Sequence, residues 1–189
     1  MIKRMRIKSK KGDATWISTV LYTLIGLSIM GLLLAFIRPK IAEMKDSFII
    51  EQTVTSMNDF DGLVSEIRLA TGNKRSYNMH LSRGQLVIDG VNDEIRWYLP
   101  DSSYQFSEVD VPIQTGNLNI ITGKAGDKFS ITIGLNYSLL NLNITYNNQD
   151  VEQILQAAKV VYPLWVENKG APFIASDQPR GKQQLDISG

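Results

Sequence analysis

Residues Lys10 to Ile37 read KKGDATWISTVLYTLIGLSIMGLLLAFI, and the 24 residues from Ala14 to Ile37 carry no charge. A helix rises about 1.5 Å per residue and the hydrocarbon core of a bilayer is about 30 Å thick, so this stretch is long enough to span one. Leu, Ile and Val dominate it. Its Ser and Thr hydroxyls can bond to carbonyls one helical turn back, which removes the penalty of carrying them into an apolar medium. An isolated apolar run of this length does not fit inside a small soluble domain. It reads as a helix made for a membrane, for the core of an assembly, or for both in turn.

Working outward from the span, the charge distribution sets its orientation. Residues 1 to 12 hold six basic side chains (Lys3, Arg4, Arg6, Lys8, Lys10, Lys11) and no acid. Arg38, Lys40 and Lys45 follow the span less densely, so the positive-inside rule keeps the N-terminal side cytoplasmic and sends the bulk of the chain outside. The whole chain has a formal charge of +1, with 20 basic and 19 acidic residues, so without the six leader cations 14 bases face 19 acids. A net negative remainder argues against a nucleic-acid partner, which would call for a basic face. There is no cysteine in the 189 residues. An outer domain of this chain must therefore be held by its core, by assembly or by bound sugar rather than by disulfides.

A secretory signal has a short apolar core followed by a small-residue cleavage site. Here the apolar run is longer, and it closes on Phe36-Ile37-Arg38-Pro39. The basic leader instead ends in Lys11-Gly12-Asp13-Ala14, immediately before the hydrophobic helix. That arrangement resembles the archaeal class III signal peptide, and Trp16-Ile17-Ser18-Thr19-Val20 resembles the IST-V opening of many archaeal type IV pilins. The resemblance covers about Lys10 to Phe36. It implies cleavage after Gly12 by a prepilin-peptidase-like enzyme on the cytoplasmic side, with the hydrophobic helix kept on the mature protein. Ile17 stands where bacterial pilins carry a glutamate, a departure that archaeal pilins share. The competing reading is that Lys10-Lys11 is ordinary positive-inside flanking.

Beyond Arg38-Pro39 the pattern turns amphipathic. Ile41, Met44, Phe48, Ile49, Met57, Phe60, Leu63, Val64 and Ile67 recur mostly at spacings of three and four, with Glu43, Lys45, Asp46, Glu51, Gln52, Asn58 and Asp59 facing elsewhere. One buried stripe is expected, with Phe48, Met57, Phe60, Val64 and Ile67 in it. Pro39 removes one donor without necessarily ending the helix, and Gly72-Asn73 supplies the stop.

From Lys74 the period becomes two. Arg75–Leu81, Arg83-Gly84 and Gln85–Asp89 read as a hairpin. Strands are also expected at 93–99, 117–122, 128–135, 139–146, 160–167 and 182–187, with a turn at Gly123–Gly126 and a short helix over 149–158. Short strands punctuated by turns indicate a sandwich or a curled sheet. The expected architecture is α+β: a long N-terminal hydrophobic-then-amphipathic helix packed on an antiparallel β-sheet or β-sandwich, as in pilins. Its segments are a leader at 1–12, an apolar helix at 13–37, an amphipathic continuation at 38–72 and an extracytoplasmic β-rich domain at 73–189.

Chemistry-bearing residues are sparse. His80 is the single histidine, and nothing near it in sequence forms a catalytic triad. Gly123-Lys124 lacks the spacing of a phosphate loop and reads as a turn. Asp89, Asp93 and Glu94 cluster at one hairpin without the spacing of an EF-hand, so they read first as solvated turn acids and second as Ca²⁺ ligands. Trp97, Tyr98, Tyr162 and Trp165 fit sheet packing better than a sugar-stacking face. Asn136-Tyr137-Ser138 and Asn143-Ile144-Thr145 are two N-glycosylation sequons, usable on the outer side of a membrane.

The leading expectation is a non-enzymatic pilin-like subunit. It would sit in the cytoplasmic membrane as a precursor, then assemble with copies of itself into a surface filament through Trp16, Ile17, Val20, Leu24, Leu27 and Leu34. Membrane lipid, the processing enzyme and other subunits are its expected partners, and no metal or cofactor is expected. The alternative is an uncleaved single-span protein displaying a β-rich binding domain, as a minor pilin or stator-like component.

Overall fold

The computed structural model describes residues 11–158, 160–171 and 181–189, with the side chains of 11–15 left out. Residues 1–10, most of the expected leader, lie outside the described part. The chain divides into two compact units at Ala42/Glu43.

Helix α1 runs from Lys11 to Ile67 and continues through Pro39. In the first unit its side chains from Trp16 onward are exposed up to Ile41. Thr23 Oγ1 donates to the Thr19 carbonyl at 2.9 Å and Ser28 Oγ to the Leu24 carbonyl at 2.8 Å, so these hydroxyls are bonded within the helix, as the sequence anticipated. The described helix is long and apolar enough to cross a membrane, and none of its most apolar stretch is buried.

In the second unit the helix lies on two sheets. Strands β1 (Lys74–His80), β7 (Leu142–Tyr146), β9 (Val161–Gly170) and β10 (Gln183–Ser188) form a four-stranded sheet in the order β1-β9-β10-β7. Strands β2 (Gln85–Asp89), β3 (Glu94–Ser102), β4 (Ile113–Thr115), β5 (Leu118–Ala125), β6 (Lys128–Asn136) and β8 (Glu152–Gln156) form a six-stranded sheet in the order β4-β5-β6-β3-β2-β8. Pairing is antiparallel except between β7 and β10, which run parallel. One hydrophobic core joins the helix to both sheets: Ile50, Met57, Phe60, Val64 and Ile67 meet Leu164, Val166, Leu185 and Ile187 of the smaller sheet and Trp97, Ile120, Ile131 and Ile133 of the larger.

Four local expectations are corrected. The first is the hairpin across Arg83-Gly84. β1 pairs with β9 along its whole length, from Lys74↔Glu167 to His80↔Val161, while β2 pairs with β3 and β8. The turn passes the chain between sheets instead of folding it back. Gly84 has φ +75°, and a Cβ there would come within 2.5 Å of the Tyr98 carbonyl oxygen, so the turn requires glycine.

The second is the helix expected over 149–158, which is strand β8 at the edge of the larger sheet, paired among the described residues with β2 alone. Val151, Ile154 and Leu155 have helical spacing, but ladder bonds to β2 win, leaving Val151 and Ile154 partly exposed. The third is Gly123-Lys124, which lies inside β5 opposite Ser130 and Phe129; the turn is Gly126-Asp127, with Gly126 at φ +63°. A Cβ on Gly123 would sit 2.6 Å from Ser130 Oγ.

The fourth is the helix stripe. Phe48, expected in the core, is exposed, as are Ile41 and Met44. The buried line is Asp46, Ile50, Met57, Phe60, Asp61, Val64 and Ile67. Position 48 lies two residues from both Asp46 and Ile50, about 200° round the helix at 3.6 residues per turn, and so on the opposite side. Asp46 sits at the head of the stripe because its charge is matched there. It pairs with Arg83 and accepts from the Ser103 N–H at 2.6 Å, and Arg83 bonds onward to Asp101 at 2.8 Å.

Candidate functional site

The first candidate is the helix surface itself. Trp16, Ile17, Val20, Leu24, Leu27 and Leu34 are all exposed, as are the intervening Leu21, Ile25, Ile29, Met30 and Leu33. A Cβ added at Gly26 or Gly31 would meet nothing within 4 Å. A helix that is apolar on every side is out of place in water, and monomeric soluble proteins rarely expose contiguous apolar surface beyond a few hundred Å². The residues of the expected cleavage signal, Lys11, Gly12, Asp13 and Ala14, open helix α1.

The residues considered for chemistry separate in space. His80 is exposed on β1, and Ser82, Ala157 and Ala158 are the other described residues around its shallow cavity. Trp97 is fully buried on the larger sheet and its Nε1 donates to the Arg83 carbonyl at 3.0 Å. Trp165 is half-exposed on the smaller sheet, with Lys74 Nζ 5.6 Å from its ring centroid. The four aromatics therefore make no common face.

The turn acids are not solvated, which corrects the first reading of them. Asp89 and Asp93 are buried. Asp89 accepts from the Val91 and Asn92 N–H groups at 3.0 Å each and from Asn92 Nδ2 at 2.8 Å, with Arg96 at 3.5 Å. Burial pushes its pKa up, but these donors and the Arg96 charge outweigh that and hold it below the ordinary value. Glu94 goes the other way: burial raises it, Arg96 opposes and Asp89 adds to the rise. Asp93 accepts from the Ile144 N–H at 2.9 Å and from Lys182 Nζ at 2.6 Å, tying the β2–β3 turn to β7 and to the approach to β10. Among the described residues no group of three or more His, Cys, Asp or Glu side chains converges as a metal site.

Comparison with protein-family models, with curated proteins and with solved structures returns no match.

The two sequons stand in different settings. Asn136 is exposed at the end of β6, and its Oδ1 accepts from the Ser138 N–H at 3.1 Å and from Ser138 Oγ at 2.6 Å. Asn143 lies within β7, with Nδ2 donating to Asp150 at 3.2 Å; its sequon partner Thr145 is buried and donates to Asp186 at 2.8 Å.

Sequence reading missed a further group. Asp61 on α1 and Tyr137 beyond β6 are both buried and lie side by side; burial first, and then the Asp61 carboxylate, push the Tyr137 phenol well above its usual range. They border a cavity of about 300 Å³ whose wall includes Gln114, Asn117, Asn119 and Asn136. No motif announces it, because its residues come from three separated segments. Asp61 is indistinguishable in sequence from the polar face of an amphipathic helix.

Proposed function

We propose that the chain is a type IV pilin-like structural subunit, without a catalytic role, held in the cytoplasmic membrane by α1 and then assembled through the same helix into an archaeal surface filament. The observation that carries this reading is the fully exposed apolar helix directly after Lys11-Gly12-Asp13-Ala14. Such a helix has two suitable surroundings, lipid or its own copies. A basic leader is compatible with the first and not with the second, because six cations cannot enter an apolar bundle without a severe desolvation penalty. Cleavage after Gly12 by a prepilin-peptidase-like enzyme removes them and permits the exchange of lipid for neighbouring helices. The β-rich unit then forms the outer surface and carries adhesive or glycan contacts.

Mass spectrometry of the native protein's N-terminus tests this reading. Asp13 as the first residue is expected, and Gly12→Val should leave a precursor twelve residues longer. Native protein that begins at Met1 in cells with an active peptidase would leave a static single-span anchor as the better account. Assembly is tested by Leu27→Lys. A mid-span charge costs at least about 2.5–3.5 kcal/mol in lipid, and in a bundle each copy also meets its neighbours' like charges. Filaments should be lost while Ala125→Lys, on an exposed strand end, still forms them.

A further inference from the structure

In the second unit, the face of α1 turned away from the sheets begins with two large apolar side chains. Met44 is 72% exposed and Phe48 66% exposed, whereas Ile50 and Met57 on the sheet side are closed to solvent. Glu51, Thr55 and Asp59 continue the exposed line. Positions 44, 48, 51 and 55 recur at spacings of four and three, which places them on one side of the helix. Phe48 stands between two clefts of about 400 and 450 Å³, with Tyr104 on the wall of the first and Tyr77 on that of the second. Clustered apolar side chains with a polar rim mark a contact surface.

Charge indicates what covers it. The charged residues bordering the two clefts are Glu43, Glu51 and Asp59, all acids; Lys45, about 100° round the helix from Met44, stands at the flank. An anionic lipid surface would be repelled by these acids, whereas an apolar segment that ends in a cation suits them. The chain carries such a segment. Leu27, Gly31, Leu34 and Arg38 are spaced by four, three and four, and so share one side of the helix in the first unit. Leu27 and Leu34 are exposed, and Gly31 has open space above it. Arg38 closes the line where the uncharged run ends. Among the described residues neither Arg38 nor Glu51 is held in an ion pair.

We infer that this face receives the apolar helix of a second copy, running parallel to it, with Leu34 packed on Phe48, Gly31 making room for Met44 and Arg38 paired with Glu51. One shift of about 13 to 14 residues, roughly 20 Å along the axis, satisfies all three pairs. Spacings of four and three on both partners are the pattern by which parallel helices interlock. The inference rests on the assembly reading above, and it names the contact that fixes the spacing between subunits.

The chain has no cysteine, so introduced thiols report the contact directly. Within one copy, residues 34 and 48 are about 21 Å apart along the helix, beyond the reach of a disulfide, so a link between them joins two copies. Full-length protein carrying Leu34→Cys and Phe48→Cys, oxidised in filaments, should run as a ladder of linked copies on a denaturing gel. The pair Leu34→Cys and Thr55→Cys, about 10 Å out of register, should not. Glu51→Arg should lower filament yield at least about tenfold, and adding Arg38→Glu to the same chain should restore it. A bimane label on Phe48→Cys should report water when the unassembled chain is held in phosphocholine micelles. A blue-shifted label there would assign the face to lipid and overturn the inference. Filaments in which the Leu34–Phe48 pair gives no ladder, or in which the charge variants assemble like the parent, would also overturn it while leaving the assembly reading in place. If the parent chain forms no filaments, that reading fails and this inference with it.

Discussion

The side-chain amide of Asn168 donates to the main-chain carbonyl of Ile67, at 3.1 Å and 101 residues away in sequence. The same nitrogen reaches the Ala70 carbonyl at 3.0 Å, and the Asn168 carbonyl accepts from the Gly72 N–H at 2.8 Å. The last carbonyls of a helix lack intrahelical partners. Here a fully buried strand residue supplies them, so β9 acts as the cap of α1.

Asn168→Ala should therefore lower stability by about 1–3 kcal/mol, because the Ile67 and Ala70 carbonyls lose their shorter donors and the buried Gly170 N–H, which donates to Asn168 Oδ1 at 2.8 Å, is left unpaired. Urea denaturation of the full chain in micelles, followed by tryptophan fluorescence, measures it. A midpoint that does not move would mean that solvent caps the helix equally well.

Phe60 and Phe48 make a matched pair on one helix. Phe60 is buried edge-on to Tyr77, with centroids 5.5 Å apart at 78°, whereas Phe48 faces solvent. Phe60→Ala should cost about 3–5 kcal/mol, and Phe48→Ala should stay within about 0.5 kcal/mol of the parent. Equal losses in the two would overturn the helix orientation described above.

Asp89 sets a pH dependence. Its folded pKa lies below the ordinary 3.8, so the folded state binds its proton less readily than the unfolded chain does. The stabilisation is present above the unfolded value and is lost as pH falls through the folded one. The Asp89→Asn variant should show a shallower loss of stability between pH 5 and pH 3 than the parent. Parallel curves for the two proteins over that interval would exclude the effect.

Between the two sequons, only Asn136 is presented for modification in the folded chain. Asn136→Gln should remove any N-linked glycan, and Asn143→Gln should leave the mass of the glycopeptide unchanged. Peptide mapping of native protein checks this, and a glycan on Asn143 would require attachment before β7 pairs with β10.

The long helix was legible because a run of 24 uncharged residues and a period near 3.6 are properties of the local chain. The positions of most strands were legible for the same reason. Their partners were not: β1 chooses β9 over β2, although Gln85 is only five residues past the end of β1, and no local signal records that choice. The face of the helix was half legible. Met57, Phe60, Val64 and Ile67 follow the expected stripe, but the apolar Phe48 lies off its line and the charged Asp46 lies on it. Only the distant Arg83 and Ser103 explain why a carboxylate is tolerated there. The Asp61 cavity was invisible for a related reason, since each of its segments has an ordinary local reading.

Strand β10 lies between β9 and β7, and it is the last of the described strands in chain order. As the chain emerges from a ribosome or a translocon, β9 and β7 both wait with bare edges until residues 183–188 arrive to bridge them. Unpaired edges are templates for pairing with other chains, and slow non-local closure lengthens that exposure. The danger of mispairing lies in these moments before the gap is filled. A chaperone that shields strand edges would be most needed then, and synthesis stalled just before Gln183 should yield aggregates rather than a partly folded domain.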